Sequence, residues 1–544
     1  MNPPNEVRSR KPRIVILGGG FAGVYAALEL EKRRGKKDDY EIALVSKQNY
    51  FVFQPMLPEV ISGTIGLTDV VSPLRRILRH TDVHVREVEA IDLDRKIVKL
   101  APGFLPHAHE LAYDHLVLAL GTVTDFRGLR GLAEHAFPFK DLTDALRLRH
   151  HVIRVLEEAA IEKHNDELRR QLLTFVVAGG GFSGVEVAAE LNDFVRGVAK
   201  SYRGLDPSEI RVVLVQAADR ILPEVPESLG RFAERLLRKR GVEVMLNTKV
   251  DAATGTEAIL GDGSRVPTRS LVSTVPAFPH PLIDSLTSLP KEWGKVEVDS
   301  HLRVKGRDDL WSLGDCAFVR NPDASVNPPT AQHATRQAAA FADNLVASLR
   351  GGTPRRFDFK GLGKMGSLGH RSAVAEIFGM KISGFIAWAI WRTIYLMKLP
   401  GMGRRLKVAA AWTFDLFLEP DLIQLSIEGS PVLRPEHFEP GQEIFAQGDV
   451  GDRMYLIRKG RVEVLLHTPQ GEVNLGVLGP GECFGEMALL GKTARSASVR
   501  CVEALDTLGL PSRDFAALAE NIPELRQGLD RVAKARLATR PPGV

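Results

Sequence analysis

A tight glycine turn between an apolar run and an alanine-rich run occurs twice in this chain, and the repetition constrains the fold more than any other feature. Ile14–Leu17 leads into GGGFAG, with Gly18, Gly20 and Gly23, and Phe175–Ala178 leads into GGGFSG, with Gly179, Gly181 and Gly184. Each reads as strand, turn, helix, the start of a βαβ unit. A glycine lets the backbone approach a pyrophosphate closely, and the following helix turns unpaired N–H groups and its positive dipole end toward the phosphates. A single loop of this kind could be no more than a tight turn under a closely packed helix. Two in the same context predict two dinucleotide units, one able to hold a flavin dinucleotide and the other a nicotinamide dinucleotide.

A third crossing supports the flavin. LWSLGDCA ends an apolar strand in Gly314-Asp315, a carboxylate able to accept hydrogen bonds from ribityl hydroxyls, where the plainer alternative is a helix N-cap. Leu116–Leu120 followed by Gly121-Thr122 is a similar strand-to-turn crossing. At about 150 residues per domain, 544 residues predict three or four domains. Linkers are expected near Asn321–Pro329, at GGTPRR before Phe357 and around Gly429–Pro435. A net charge of +5 is slight for this length and argues against a nucleic-acid partner. The three cysteines, Cys316, Cys483 and Cys501, form no close pair, so a disulfide framework, a zinc ribbon and an iron–sulfur cluster all lack ligands, and no metal is expected. MNPPNEVRSRKPR has no apolar run and reads as a disordered leader.

With these motifs in place, the chain resembles the two-dinucleotide-fold flavoproteins and, within them, the type II NADH dehydrogenases, from about Pro12 to Leu425. NYFVFQPMLPEV (49–60), ILPEVPE (221–227) and PPTAQHATRQA (328–338) carry the resemblance alongside the loops, and the last is similar to the family's quinone-site AQxAxQ helix. The resemblance implies an α/β fold with two Rossmann-like units of the glutathione-reductase type. It implies FAD on a discontinuous unit (12–127 and 296–347), NADH on 128–295 and reduction of a membrane quinone. Glu186 matches a glutamate that relays protons or positions nicotinamide, against the alternative of a helix-surface carboxylate, and Gln332 is expected to meet a quinone carbonyl.

Three positions depart from the pattern. The acidic residues expected on the riboses stand here as Ser46 and Gln216, both still able to hydrogen-bond a ribose. Loss of the carboxylate at 216, with Arg220 near, leaves NADPH open beside NADH. Arg336 replaces the family's second glutamine, and Gln337 follows at once. Cys316 stands alone in its block, which argues against thioredoxin-, lipoamide- and sulfide-type chemistry.

Residues 348–428 are read as an amphipathic helical membrane anchor. FIAWAIWRTIYLM (385–397) and VAAAWTFDLFL (408–418) are too short to span a bilayer. Trp388, Trp391 and Trp412 suit headgroup depth, and Lys398, Arg404, Arg405 and Lys407 suit anionic lipid; two buried core helices are the alternative. The expected location is peripheral, on the cytoplasmic face of the inner (plasma) membrane, with a homodimer left open.

Within a C-terminal domain expected at 430–544, residues 437–515 carry short alternating strands punctuated by glycine, a β-roll. FEPGQEIFAQGDVGDRMYLIRKGRVEVLL (438–466) and LGPGECFGEMALLGKTARSASV (478–499) closely resemble the cyclic-nucleotide-binding domains of catabolite activator proteins and kinase regulatory subunits. The resemblance places Gly485 against a cyclic phosphate, Arg495 on its charge, Glu486 on the ribose 2′-OH and Ser496 near the purine, with cAMP preferred over cGMP. Helices around Phe515–Leu529 are expected to close the site. The overall expectation is an NADH:quinone oxidoreductase regulated by a cyclic nucleotide. A flavoprotein reductase with a soluble acceptor and a nucleotide sensor with a degenerate flavoprotein part are the other readings.

Overall fold

In this computed structural model the described residues are 11–34, 39–103, 109–126, 128–274, 277–415, 417, 422–423, 433–491, 494–512, 514–515, 518 and 523–538. The N-terminal leader lies outside the described residues through position 10.

Each apolar run ahead of a glycine loop becomes the central strand of a five-stranded parallel sheet. In the first sheet the order is Leu310–Ser312, His115–Leu118, Arg13–Leu17, Glu41–Ser46, Asp82–Val85. Ile14, Val15, Ile16 and Leu17 are fully buried, as expected of a parallel strand covered on both faces. Leu310–Ser312 returns to this sheet after the second unit has been built, and the helix Ala331–Leu349 packs on Phe21–Arg34. In the second sheet the order is Ala136–Pro138, Ser270–Ser273, Thr174–Ala178, Arg211–Val215, Val242–Met245. The glycine loops thus leave the C-terminal ends of both central strands, where open α/β sheets bind ligands.

The expected linker at Asn321–Pro329 is a structured turn instead. Asn327 Nδ2 donates to Asn321 Oδ1 at 3.0 Å, and the turn leads straight into the helix Ala331–Leu349. Its polar side chains bond one another, so polarity here marks a turn rather than a boundary.

Residues 348–428 are not helical throughout. An antiparallel meander, Gly363–Ser367, Ala373–Ile377 and Met380–Gly384, precedes the helices Phe385–Lys398 and Met402–Phe414. Two of the three tryptophans turn inward, Trp391 at 1% and Trp412 at 6% exposed, while Trp388 is half-buried. Arg392 is stacked between Trp388 and Trp412, its Cζ 4.3 and 4.5 Å from the two ring centroids. A guanidinium needs an aromatic or anionic shell to be buried, and the indoles supply it.

The C-terminal unit is two four-stranded antiparallel sheets, with short strands closing on a core of Phe438, Tyr455, Ile457, Val462 and Phe484. The helix Pro523–Ala538 follows.

Candidate functional site

The first glycine loop is fixed by the protein's own backbone. Gly18 has φ +118°, and a Cβ on Gly23 would overlap the Gly18 carbonyl oxygen. At Gly20 a Cβ would meet nothing within 4 Å. The two outer glycines are therefore required by the fold, whereas the middle one faces open space, as a phosphate cradle must. The second loop follows the same plan at Gly179, φ +110°, and Gly184. At Gly181, however, a Cβ would stand 2.9 Å from Glu224 Oε1, so a carboxylate borders this cradle.

The two ribose candidates differ. Ser46 ends its strand beside Gly19, buried, with its Oγ accepting from Gln48 N at 3.3 Å. Gln216 closes on its own loop: Oε1 accepts from Gly180 N at 2.9 Å and Nε2 donates to Arg220 O at 3.3 Å. Arg220 donates to the carbonyls of Val225 and Pro223 at 3.1 and 3.0 Å. Both side chains therefore already hold the turn beyond the second strand, a use the sequence pattern does not reveal.

Gly314 and Asp315 sit at the end of Leu310–Ser312, lining a cleft with Thr330, His333 and Gln337. Burial pushes the Asp315 carboxyl up, opposed by Lys140 and Lys295. Burial lowers Lys140 in turn, opposed by Asp315, and its Nζ donates to Thr122 Oγ1, next to Gly121. Lys140 was not singled out in the sequence. Its signal was only a lysine between FPF and DLTDA at the foot of a helix, and the chain fold brings it to Asp315.

The helix Ala331–Leu349 carries Gln332, Arg336 and Gln337. Gln332 has both amide ends on backbone, Nε2 to Gly363 O at 2.9 Å and Oε1 from Leu362 N at 3.1 Å, and so ties the helix to the meander. Arg336 is exposed, with its Cζ 5.6 Å from the Phe359 ring centroid. Gln337, 2% exposed, faces the cleft, and its Oε1 accepts from Gly314 N at 2.8 Å. At 3.6 residues per turn, His333 and Gln337 share the inward face and Gln332 and Arg336 share its flank.

Glu186 Oε1 accepts from Ser367 N at 2.9 Å, and burial pushes the carboxyl up to about 8. It is therefore a neutral acid near pH 7. Glu190, one turn on, is raised by burial as well. Glu59, on the short helix Pro58–Ser62 that packs against the Glu186 helix Phe182–Ala199, is raised by burial and held by Trp412 Nε1 at 2.8 Å and Arg392 Nη2 at 3.7 Å. An Arg392→Met protein is expected to lose about 3–5 kcal/mol of stability at alkaline pH, the cost of breaking a buried pair. The loss should shrink at pH 6, where a raised Glu59 takes up a proton; urea unfolding at both pH values checks this.

In the C-terminal unit, Gly485 (φ +82°), Glu486, Arg495 and Ser496 line one cavity with an apolar wall that includes Val464, Leu478 and Ala497. Arg495 is buried; its Nη1 donates to Gly485 O at 2.9 Å and its Nη2 lies 3.2 Å from Asp452 Oδ1. Its buried Nε has no hydrogen-bond partner among the described residues. Glu486 is also buried and accepts from Arg536 Nη1 at 2.9 Å, on the helix Pro523–Ala538. Of the predicted closing helices, 516, 517 and 519–522 lie outside the described residues, and Phe515 and Leu529 pack beside Met454.

Two parallel sheets, each with its glycine loop at the C-terminal end of the central strand, define an oxidoreductase of the two-dinucleotide class, joined here to an antiparallel β-roll. Residues 12–338 match the pyridine nucleotide-disulphide oxidoreductase family and residues 435–521 the cyclic nucleotide-binding domain. The type II NADH:quinone oxidoreductase Ndh of Mycobacterium tuberculosis is 31% identical, over 82% of this chain and 97% of that protein. The demethylphylloquinone reductase NdbB of Synechocystis is 32% identical, over 74% of this chain and 96% of that one. The structure of NDH2 from Plasmodium falciparum in complex with NADH superposes with a TM-score of 0.70 at 20% identity, covering 76% of this chain and all of that one. The chain belongs to the pyridine nucleotide-disulphide oxidoreductases and, within them, to the type II NADH dehydrogenases, with a cyclic-nucleotide-binding domain on the C-terminal side.

Proposed function

We propose that this protein oxidises NADH and reduces a membrane quinone, with FAD on the first unit and a cyclic nucleotide on the last. The observation that carries the reading is the cradle at Gly20, open in a loop otherwise closed by its own backbone, with half-buried Asp315 and Lys140 at the same end of the sheet. These residues fit FAD, with Gly20 under the pyrophosphate, Ser46 near a ribose and Asp315 toward the ribityl chain. When bound, FAD supplies hydride acceptance from NADH and two-electron delivery to quinone. Lys140 offers a cation beside that site, and Gln337 holds the turn of Gly314 that presents Asp315. Cys316 is fully buried and bonded to Leu118 O at 3.3 Å, an unsuitable thiol for exchange chemistry. Steady-state NADH oxidation with a quinone analogue, with and without cAMP, tests the whole reading; a colourless, inactive full-length protein overturns it.

A quinone taking two electrons also takes two protons, and Glu186 is a neutral acid able to give one. Below about pH 8 it is protonated, so the quinone-reduction rate should fall as pH rises through that value. Glu186→Gln should lower the rate and remove that limb of the pH profile. Stability gives a second sign. A carboxyl raised on folding binds more protons in the native state, so its contribution falls between its unfolded value and about 8. Glu186→Gln should flatten this part of the stability profile; an unaltered profile in both assays would remove Glu186 from the reaction.

Contact with the membrane falls to the two short helices. No helix among the described residues is long and apolar enough to cross a membrane. Phe385, Ile386, Met397, Met402, Leu406 and Phe414 are nevertheless exposed, with Lys398 and Lys407 beside them. Exposed apolar residues edged by lysine suit an in-plane anchor on anionic lipid, with Trp391 and Trp412 acting inside as struts rather than at the headgroups. Replacing Ile386, Met397 and Leu406 by serine should release the protein from anionic vesicles in a flotation assay; retention would place the membrane contact elsewhere.

A further inference from the structure

The C-terminal unit rests on the second dinucleotide unit chiefly through the strand Arg434–Phe438 and the residue after it. Arg130 Nη1 is 2.7 Å from Glu439 Oε2, and His437 N donates to His135 Nε2 at 2.8 Å. His437 Nδ1 is 2.6 Å from Asp506 Oδ1, and His437 and Glu439 are both buried. Gly131 takes φ +71°, and a Cβ there would come within 2.8 Å of His437 Cδ2, so the two units meet at van der Waals distance. Arg130 is exposed, but with His437 and Glu439 buried the contact has few equivalent arrangements, because displacing it leaves a desolvated group unmet.

The same strand is joined to the nucleotide cavity from the other side. Arg495 reaches Asp452 Oδ1 at 3.2 Å and Arg453 O at 2.7 Å. Asp452 Oδ2 accepts from Arg453 Nε at 2.8 Å, and Arg453 Nη1 donates to Glu436 Oε1 at 2.9 Å. Glu436 lies on the docking strand, next to His437. In the other direction, His135 ends the helix Leu132–His135, and the next residue opens Ala136–Pro138, the edge strand of the second sheet. Two residues beyond Pro138 stands Lys140, on Thr122 and beside Asp315. At about 3.3 Å per residue, His135 and Lys140 are separated by roughly 16 Å of extended chain.

We propose that the surface formed by Arg130, Gly131 and His135 is the docking surface through which nucleotide occupancy reaches the flavin site, by way of Arg495, Asp452, Arg453, Glu436 and the His437–His135 contact to Lys140. The inference rests on the cyclic-nucleotide reading of Arg495 given above. A cyclic phosphate and Asp452 are two anions competing for one guanidinium, whose Nε is unmet. The phosphate takes the arginine and Asp452, whose side chain is 56% exposed, turns to water. Arg453 then loses one of its two carboxylates and resettles on Glu436, and the strand bearing His437 moves against His135. Only a difference in nucleotide affinity between the two arrangements can do this, and Asp452 supplies it by bonding Arg495 in one of them alone.

The test uses the full-length protein, with cAMP and cGMP as probes in calorimetry and in NADH oxidation with a quinone analogue. In the wild type, nucleotide should change rate or apparent quinone affinity about fivefold or more. Glu436→Gln and His135→Phe should bind nucleotide as tightly as wild type while the ratio of rates with and without it falls to near one. Hydrogen exchange over residues 130–140 of the wild type should change on nucleotide addition, a readout independent of either variant's folding. If neither nucleotide binds the wild type, the cyclic-nucleotide reading fails and the relay with it. If nucleotide binds the wild type without altering the rate, or both variants keep the full response, or exchange over 130–140 is unmoved, the relay alone is overturned.

Discussion

A Gly20→Val protein is expected to purify colourless, folded and inactive. The added side chain meets no protein atom, since a Cβ at this position has nothing within 4 Å, so the loop and the sheet behind it should form normally. What the valine occupies is the space a pyrophosphate needs against the helix Phe21–Arg34. Stability should fall only by the share that bound flavin contributes, about 2.7 kcal/mol when flavin stands a hundredfold above its dissociation constant. Gly23→Ala is the contrasting case: its Cβ would overlap the Gly18 carbonyl oxygen, so the strand–helix packing itself should fail. An absorbance spectrum and a thermal melt of each separate the two outcomes. Flavin retained by Gly20→Val would show that the first loop is not the cradle.

Arg495→Ala should weaken cyclic-nucleotide binding by about 2–5 kcal/mol, the range for removing one partner of a buried charge pair. The side chain is buried, stacks with its Cζ 4.1 Å from the Phe445 ring centroid and carries an unmet Nε, so it is already oriented for an anion. The variant also releases Asp452, whose exposed carboxylate loses little by returning to water. NADH oxidation without nucleotide should persist, because the glycine loops and Asp315 are far along the chain and untouched. Calorimetry with cAMP on the full-length variant gives the result directly. Binding undiminished from wild type would leave the cavity a structural element of the roll.

What was legible in the sequence followed from local chemistry. Gly18 and Gly23 announce a loop because no other residue fits their φ or their neighbours, and the structure gives that reason in the clash each would suffer. Arg495 and Glu486 come from the resemblance to a cyclic-nucleotide cassette, and the structure puts both on one cavity. Motif position points to Gln332 and Arg336, whereas the register of the helix adds Gln337, turned inward onto Gly314. Composition records the three tryptophans as an aromatic-basic segment but not that Arg392 stacks between Trp388 and the buried Trp412, beside Glu59.

The sequence by itself determined the two βαβ units, the C-terminal roll and the glycine loops, because strand, glycine and helix are set by residues adjacent in the chain. Only the tertiary structure brought together Lys140 with Asp315, Glu59 with Arg392 and Trp412, and His135 with His437. These pairs join residues separated by many positions, and each is a desolvated polar group whose partner is chosen by packing rather than by spacing. No periodicity records such a choice, since any of several carboxylates or histidines could have met the same need until the sheets and helices were docked.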